Sequence, residues 1–345
     1  MSHDSPVVPP GQEQFIIGEF QPEDAAGIVR LFRAVYGELY PIRLFYDPAE
    51  IVRANGDGRY LSICARTPSG EVVGVNHLYP SAPCRSLYES GVGLVRKDYR
   101  SLGVNTRMLG YLNEEFIPRR PEIEEVFGEA VCNHPFMQKA IAPCRYVETA
   151  LEVALMPAEA YVKEQSAGGR VATLAAFRCF RPKPHRIFLP LEYDAVLRQI
   201  YGRLDDSREL SPSVDRIPPG TASRMEMTMF AHARVARIAV FAVGDDFSAR
   251  LAELEARGRE KQAAVYQVWA DLTTPWVGAA VRALREAGYF FGGALPRWFD
   301  GDGLLMQKLH CPPDFEGIVL ESAFAKELLG IIREDWRRAE ALSGG

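Results

Sequence analysis

The chain's clearest chemical signal is the run Val95-Arg96-Lys97-Asp98-Tyr99-Arg100-Ser101-Leu102-Gly103-Val104-Asn105-Thr106. Ser90 to Val95 is β-branched and glycine-bearing, and reads as a strand. After the basic turn, apolar residues recur at Val104, Met108, Leu109, Leu112 and Phe116, which is helical spacing. A strand therefore ends, a turn follows and a helix begins. The first helical turn carries N–H groups with no intrahelical partner, and its dipole favours negative charge. Gly103 lets a ligand approach the backbone, and Arg96, Lys97, Arg100 and Arg107 add positive field. This combination suits a phosphate or pyrophosphate.

The spacing Arg100-x-x-Gly103-x-Asn105 resembles the acyl-CoA-binding motif of the GNAT N-acyltransferases, in which Arg or Gln is followed by two residues, Gly, one residue, then Gly or Ala. The chain departs from that pattern at Asn105, and has Lys97 where the family often has proline. The resemblance implies acetyl-CoA or another acyl-CoA as co-substrate. It would be held by Leu94, Val95, Arg100, Leu102, Gly103, Val104, Asn105 and Thr106, with Asn133 at the end of the next strand. It also implies that a backbone N–H near Gly93 to Val95 serves the thioester carbonyl.

Acyl transfer to an amine needs a base for the amine, a donor to the oxyanion and a proton for the leaving thiolate. Glu89, on the strand feeding the cradle, is the first candidate base; the plainer reading is a strand glutamate paired with an arginine. Glu129 lies inside the apolar strand Phe127-Gly128-Glu129-Ala130, where an acid must be paired or functional. His77 and His134 have a suitable pKa, though a strand histidine satisfied by a neighbour is the commoner case. Many family members carry a tyrosine general acid at the position matching Ile141; Cys144 and Tyr146 are the nearby substitutes. Glu38, Tyr40 and Arg43 border the side where the family binds its acceptor, and the bland reading of that loop is aromatic packing. Trp269, Asp271, Trp298 and Asp300 are candidates to line a cleft between lobes, with a tight turn as the alternative for Asp300-Gly301-Asp302-Gly303.

These residues sit on an alternation of elements that gives a mixed α/β fold. Over about residues 15–157 the order reads β-α-α-β-β-β-α-β-α-β, which matches the GNAT order. Residues 1–13 read as a disordered lead-in, Glu159 to Arg170 as a linker, and Val171 to Phe180 as a strand able to finish the first sheet. Arg186 to Pro190 leads into a helix, Asp205 to Gly220 reads as an exposed loop, and a final helix runs from Pro313 or Phe315 to Ala341. The second half repeats the element order without the cradle, because Gly244-Asp245-Asp246 places two acids at a helix start. The expectation is two tandem GNAT-like lobes, 14–160 and 161–345, each a mostly antiparallel sheet flanked by helices.

Composition narrows the function classes. The 345 residues have a formal net charge of −5, so no general affinity for nucleic acid or anionic membrane is implied. No apolar run reaches membrane-spanning length and no secretory h-region opens the chain, which argues for a cytoplasmic protein. The six scattered cysteines lack CxxC spacing and read as free, mostly buried thiols in preference to a metal site or a disulfide frame, and no metal is expected. The reading is an N-acyltransferase acting on a small-molecule amine by direct attack in a ternary complex, with a homodimer left open. The rival classes are a non-catalytic acyl-CoA-binding sensor or scaffold, and an enzyme on the same fold taking its acyl group from a carrier protein or an aminoacyl-tRNA.

Overall fold

The computed structural model describes residues 15–157 and 169–343. The expected lead-in and most of the expected linker lie outside them. The described residues divide into two compact units: one runs to Tyr79 and adds Ser90–Arg120, and the other takes Pro80–Glu89 and everything from Pro121 onward.

In the first unit, β1 (Ile16–Glu19), β2 (Leu61–Arg66) and β3 (Val72–Tyr79) form an antiparallel series, and the end of β4 (Leu87–Val95) lies beside β3. Helices α1 (Ala25–Tyr36) and α2 (Pro48–Gly56) cover it. The 3-10 turn Pro22–Asp24 opens α1, and Asp24 is buried against Arg66, so the first-turn acid does more than face the helix dipole. Ile28, Leu31, Phe32, Phe45, Cys64, Val75 and Leu94 form the core. Helix α3 (Val104–Tyr111) lies so close to β3 that a Cβ on Gly74 would be 2.9 Å from Val104 Cγ1.

The second unit holds a larger mixed sheet. Leu87–Glu89 of β4 pairs in parallel with β5 (Glu125–Val131). Next come β7 (Arg170–Cys179), β6 (Val147–Pro157), β13 (Phe290–Leu295), β14 (Gly303–Leu309), β12 (Val265–Asp271), β11 (Val235–Ala242) and β10 (Arg224–Phe230). The flanking helices are α4 (Phe136–Ile141), α5 (Asp194–Tyr201), α6 (Phe247–Glu260), α7 (Val277–Glu286) and α8 (Ala323–Ser343). The series β4-β5-β7-β6 pairs parallel, antiparallel, antiparallel, and β11-β12-β14-β13 repeats that pattern. The two series meet at β6 and β13, where Gly293 at φ 131 lies opposite Ala150. Here β7, beyond residue 160, sits between β5 and β6, so contacts divide the chain differently from the lobes read in the sequence.

Two further local expectations are corrected. His185–Leu189 is a strand, β8, and the supposed loop contains β9 (Arg208–Pro212), its parallel partner. Their five residues each are too few to show a period, and the partners are separated by α5. Helix α8 starts at Ala323 because the preceding chain is held otherwise: the Val319 N–H donates to the Cys132 carbonyl, and the Gln138 amide bonds the Val319 carbonyl and Glu321 N–H. Gln307 does similar work in the sheet. Its amide accepts from the Val153 N–H at 2.7 Å and donates to the Leu151 carbonyl at 2.9 Å, where β6 bulges through Ala154 at φ 53.

Candidate functional site

The cradle belongs to the first unit. β4 carries Val92 at φ 53, a conformation that costs a β-branched residue about 1–3 kcal/mol and so marks a constrained site. Leu94 is buried in the core, which anchors the strand end. The Arg96 N–H donates to the Val73 carbonyl at 2.8 Å, and a 3-10 turn, Lys97–Leu102, follows. Gly103 ends that turn in the left-handed region, φ 73, and immediately precedes α3. A Cβ there would meet no atom within 4 Å, so space above the backbone is open while the dihedral still favours glycine. Gly103, as the N-cap residue, has no side chain to cap α3, whose first turn is Val104, Asn105 and Thr106.

The four cations of the cradle play different parts. Arg96 bonds Glu71 at 2.5 Å and Asp98 at 2.7 Å and covers the Tyr99 ring, so much of its charge is already matched. Arg107 lies over the Phe15 ring at 4.2 Å. Arg100 is exposed and donates to the Val95 carbonyl at 3.2 Å, and Lys97 is exposed. Among the described residues neither Lys97 nor Arg100 makes an ion pair, so these two carry the positive field. The corresponding stretch before α6 is closed. Asp245 and Asp246 accept from the Gly220 and Ser223 N–H groups, and a Cβ on Gly244 would collide with Thr221.

A second cluster, in the second unit, surrounds two acids inside apolar strands. Glu152 of β6 is buried and accepts from Thr173 Oγ1 at 2.7 Å, Gln267 Nε2 at 2.8 Å and Arg237 Nη2 at 3.3 Å. Arg237 also reaches Glu129 at 3.8 Å and lies over the Trp269 ring. Burial first, then the charges of Glu152 and Glu89, raise Glu129 well above the ordinary glutamate range. That shift favours the protonated form and works against Glu129 as a base. Glu89 is half-buried at the start of β4 and opposite Phe127 in the pairing. Thr173, Arg237 and Gln267 were not singled out from sequence, nor was Glu152. The charges in Ala150-Leu151-Glu152-Val153-Ala154 and Val235-Ala236-Arg237-Ile238 were the available signal, the same one that marks Glu129.

Several candidates have other roles. His77 is a core histidine: it packs against Phe45 at 4.8 Å and Tyr60 at 5.7 Å, and Nδ1 bonds Ser62 Oγ at 2.7 Å. Burial lowers its pKa to about 3, which keeps it neutral. Tyr40 packs on Phe32 and Tyr36, Glu38 pairs with Arg33 at 2.8 Å, and Arg43 donates to the Glu38 carbonyl. Trp298 is buried against Phe127 and Trp269 instead of lining an open cleft. Asp271 caps the turn at Thr273, and Asp300 pairs with Lys183 and Arg297. His134 stacks near Phe136, beside Asn133 in the turn after β5. Cys144 is buried, whereas Tyr146 lines a cleft of about 280 Å³ together with Ile141, Glu148 and Glu321. No helix among the described residues is long and apolar enough to cross a membrane.

No family model and no curated protein matches the chain. Solved structures similar to it include the ribosomal-protein-S5-alanine acetyltransferase from Vibrio fischeri, at 9% identity and TM-score 0.39, covering 48% of this chain and 92% of that one. A GNAT superfamily phosphinothricin acetyltransferase from Sinorhizobium meliloti, in complex with AcCoA, aligns at 15% identity and TM-score 0.39, over 48% and 89%. The ribosomal-protein-S18-alanine N-acetyltransferase from Escherichia coli aligns at 13% identity and TM-score 0.38, over 49% and 96%.

Proposed function

We propose that this chain is a tandem GNAT-type N-acyltransferase that moves an acetyl or longer acyl group from acyl-CoA to the amine of a small metabolite. The observation that carries the reading is the cradle: kinked β4, left-handed Gly103 as the N-cap of α3, and exposed Lys97 and Arg100. An anion there gains backbone donors and a helix dipole together. The repeated strand pairing supports a second lobe, and the Thr221–Ser223 segment at the start of α6 supports its having no cradle of its own.

In this reading Arg100, Gly103, Val104, Asn105 and Thr106 hold the pyrophosphate, and the backbone after Val92 donates to the thioester oxygen. Glu89 takes the proton from the attacking amine, directly or through water. The amine nitrogen bonds to the carbonyl carbon, the C–S bond breaks, and the thiolate takes a proton as it leaves. Attack is direct: Cys64 and Cys132 are buried, and burial raises both thiols far from the thiolate form.

Calorimetric titration with CoA and acetyl-CoA, on the wild type and on the Lys97→Ala/Arg100→Ala double variant, tests the cofactor assignment. Micromolar binding that weakens about tenfold or more in the double variant supports the cradle. Absence of binding by the folded wild type sinks it. A screen of free amines by thiol release then separates an enzyme from an acyl-CoA sensor, and a carrier-protein donor remains the alternative if CoA fails.

A further inference from the structure

Apart from the carboxylate cluster, three side chains converge at one end of β5 and β7. Glu125 opens β5, Cys179 closes β7, and the two are Cα partners in the sheet. Asp206 comes from the turn between α5 and β9. One donor atom from each lies within 4.8 Å of the other two. Glu125 and Asp206 are buried, at 1% and 7% exposure, and each keeps one carboxylate oxygen with no hydrogen-bond partner. A buried carboxylate oxygen without a partner is costly and calls for an explanation.

The hydrogen bonds of the surrounding cations go mainly to Asp302, Glu124 and Asp300. Arg208 bonds Asp302 through Nε at 2.5 Å and Nη2 at 3.3 Å, donates to the Asp206 backbone carbonyl at 3.2 Å, and reaches Asp206 Oδ2 at 3.6 Å, an ion pair longer than a hydrogen bond. Arg297 pairs with Glu124 and Asp300, and His185 bonds Asp302 at 3.1 Å and the Lys183 carbonyl at 2.7 Å. A separate observation points to a missing ligand. Tyr201 is 6% exposed and its hydroxyl has no partner, while its electrostatic neighbours include Asp302, Arg208 and Glu125.

We propose that Glu125, Cys179 and Asp206 form a binding site for a divalent transition metal of the zinc class. One sulfur with two carboxylate oxygens suits a borderline-soft ion; calcium and magnesium favour oxygen sets. Zinc holds such donors about 3.5 Å apart, given bonds of about 2.3 Å to sulfur and 2.0 Å to oxygen, so small side-chain rotations close the triad. A water in the fourth position accepts or donates at the Tyr201 hydroxyl. The ion ties the sheet to the α5–β9 turn. Its role is structural and does not depend on the acyl-transfer reading.

The test uses the full chain, stripped with a chelator and dialysed. Zn²⁺ is titrated calorimetrically, with Ca²⁺ and Mg²⁺ as parallel probes, and Co²⁺ replaces zinc for absorption spectra. The expected result is one equivalent of zinc and an ultraviolet thiolate-to-cobalt band. Cys179→Ser abolishes the band, and both Cys179→Ser and Glu125→Gln weaken binding tenfold or more, with metal-free circular dichroism matching the wild type. The wild-type cobalt spectrum needs no variant, so it stands even if both substitutions misfold. Absence of stoichiometric zinc, zinc binding untouched by either substitution, or calcium or magnesium binding in its place overturns the proposal; a bound water then satisfies the carboxylates.

Discussion

Replacing Gln307 by leucine isolates what holds β6 in place. Gln307 is fully buried, and its amide supplies partners to two backbone groups, the Val153 N–H and the Leu151 carbonyl. Leucine has similar bulk and no polar atoms, so both groups lose their partner inside the protein. Each such loss costs about 1–3 kcal/mol, giving about 2–6 kcal/mol in total. For a unit of this size, at about 2–4 °C per kcal/mol, that corresponds to a fall in Tm of about 4–24 °C. The two groups flank Glu152, whose contacts with Thr173, Gln267 and Arg237 depend on β6 staying in register. The assay is thermal unfolding followed by circular dichroism, repeated on Gln307→Met. A fall smaller than about 2 °C in both variants would refute the reasoning, because two orphaned buried backbone groups cannot be that cheap.

Gly293→Ala should abolish soluble expression, since a Cβ at φ 131 would sit 2.3 Å from the Thr149 carbonyl oxygen; wild-type yield and Tm would show that the β6–β13 join has another geometry. Asp335 anchors α8. Burial pushes its carboxyl up, but hydrogen bonds from Arg338, Tyr193 and the Phe291 N–H outweigh that and hold it below the usual aspartate range. Its contribution is therefore present above the unfolded-state pKa and lost as pH falls through the depressed folded value. Asp335→Asn should cost about 1–3 kcal/mol at pH 7 by denaturant titration and much less in acid, and an equal loss at both pH values would contradict the linkage. Glu129→Gln should keep most acyl-transfer activity at neutral pH, because burial and the neighbouring acids favour its protonated form, whereas Glu89→Gln should lower kcat by about 100-fold or more. Steady-state rates on the best amine found decide between them, and the reverse ranking would move the base to Glu129.

Much of the first unit was legible because its signals are local. Thr67-Pro68-Ser69-Gly70 turns β2 into β3, with Gly70 at φ 86. The basic turn, Gly103 and the period of α3 mark a strand–turn–helix in the sequence itself, since dihedral preference, capping and helix dipole depend on neighbours in the chain. The same logic flagged Glu129 as an acid that an apolar strand must explain.

Adjacency across long separations was set by tertiary structure alone. Nothing near Glu152 announces Arg237, 85 residues on, or Gln267, 115 residues on. The exposed-looking Asp206 becomes buried beside Glu125 and Cys179 only because β7 lies next to β5 and the α5–β9 turn folds over their ends. His77 read as a candidate base because histidine titrates near neutrality, yet Phe45, Tyr60 and Phe32 surround it and desolvation removes its charge. Local sequence determines what each segment prefers and which groups it offers. Strand order, register and burial decide which groups meet and in what dielectric, and those come from packing the whole chain at once.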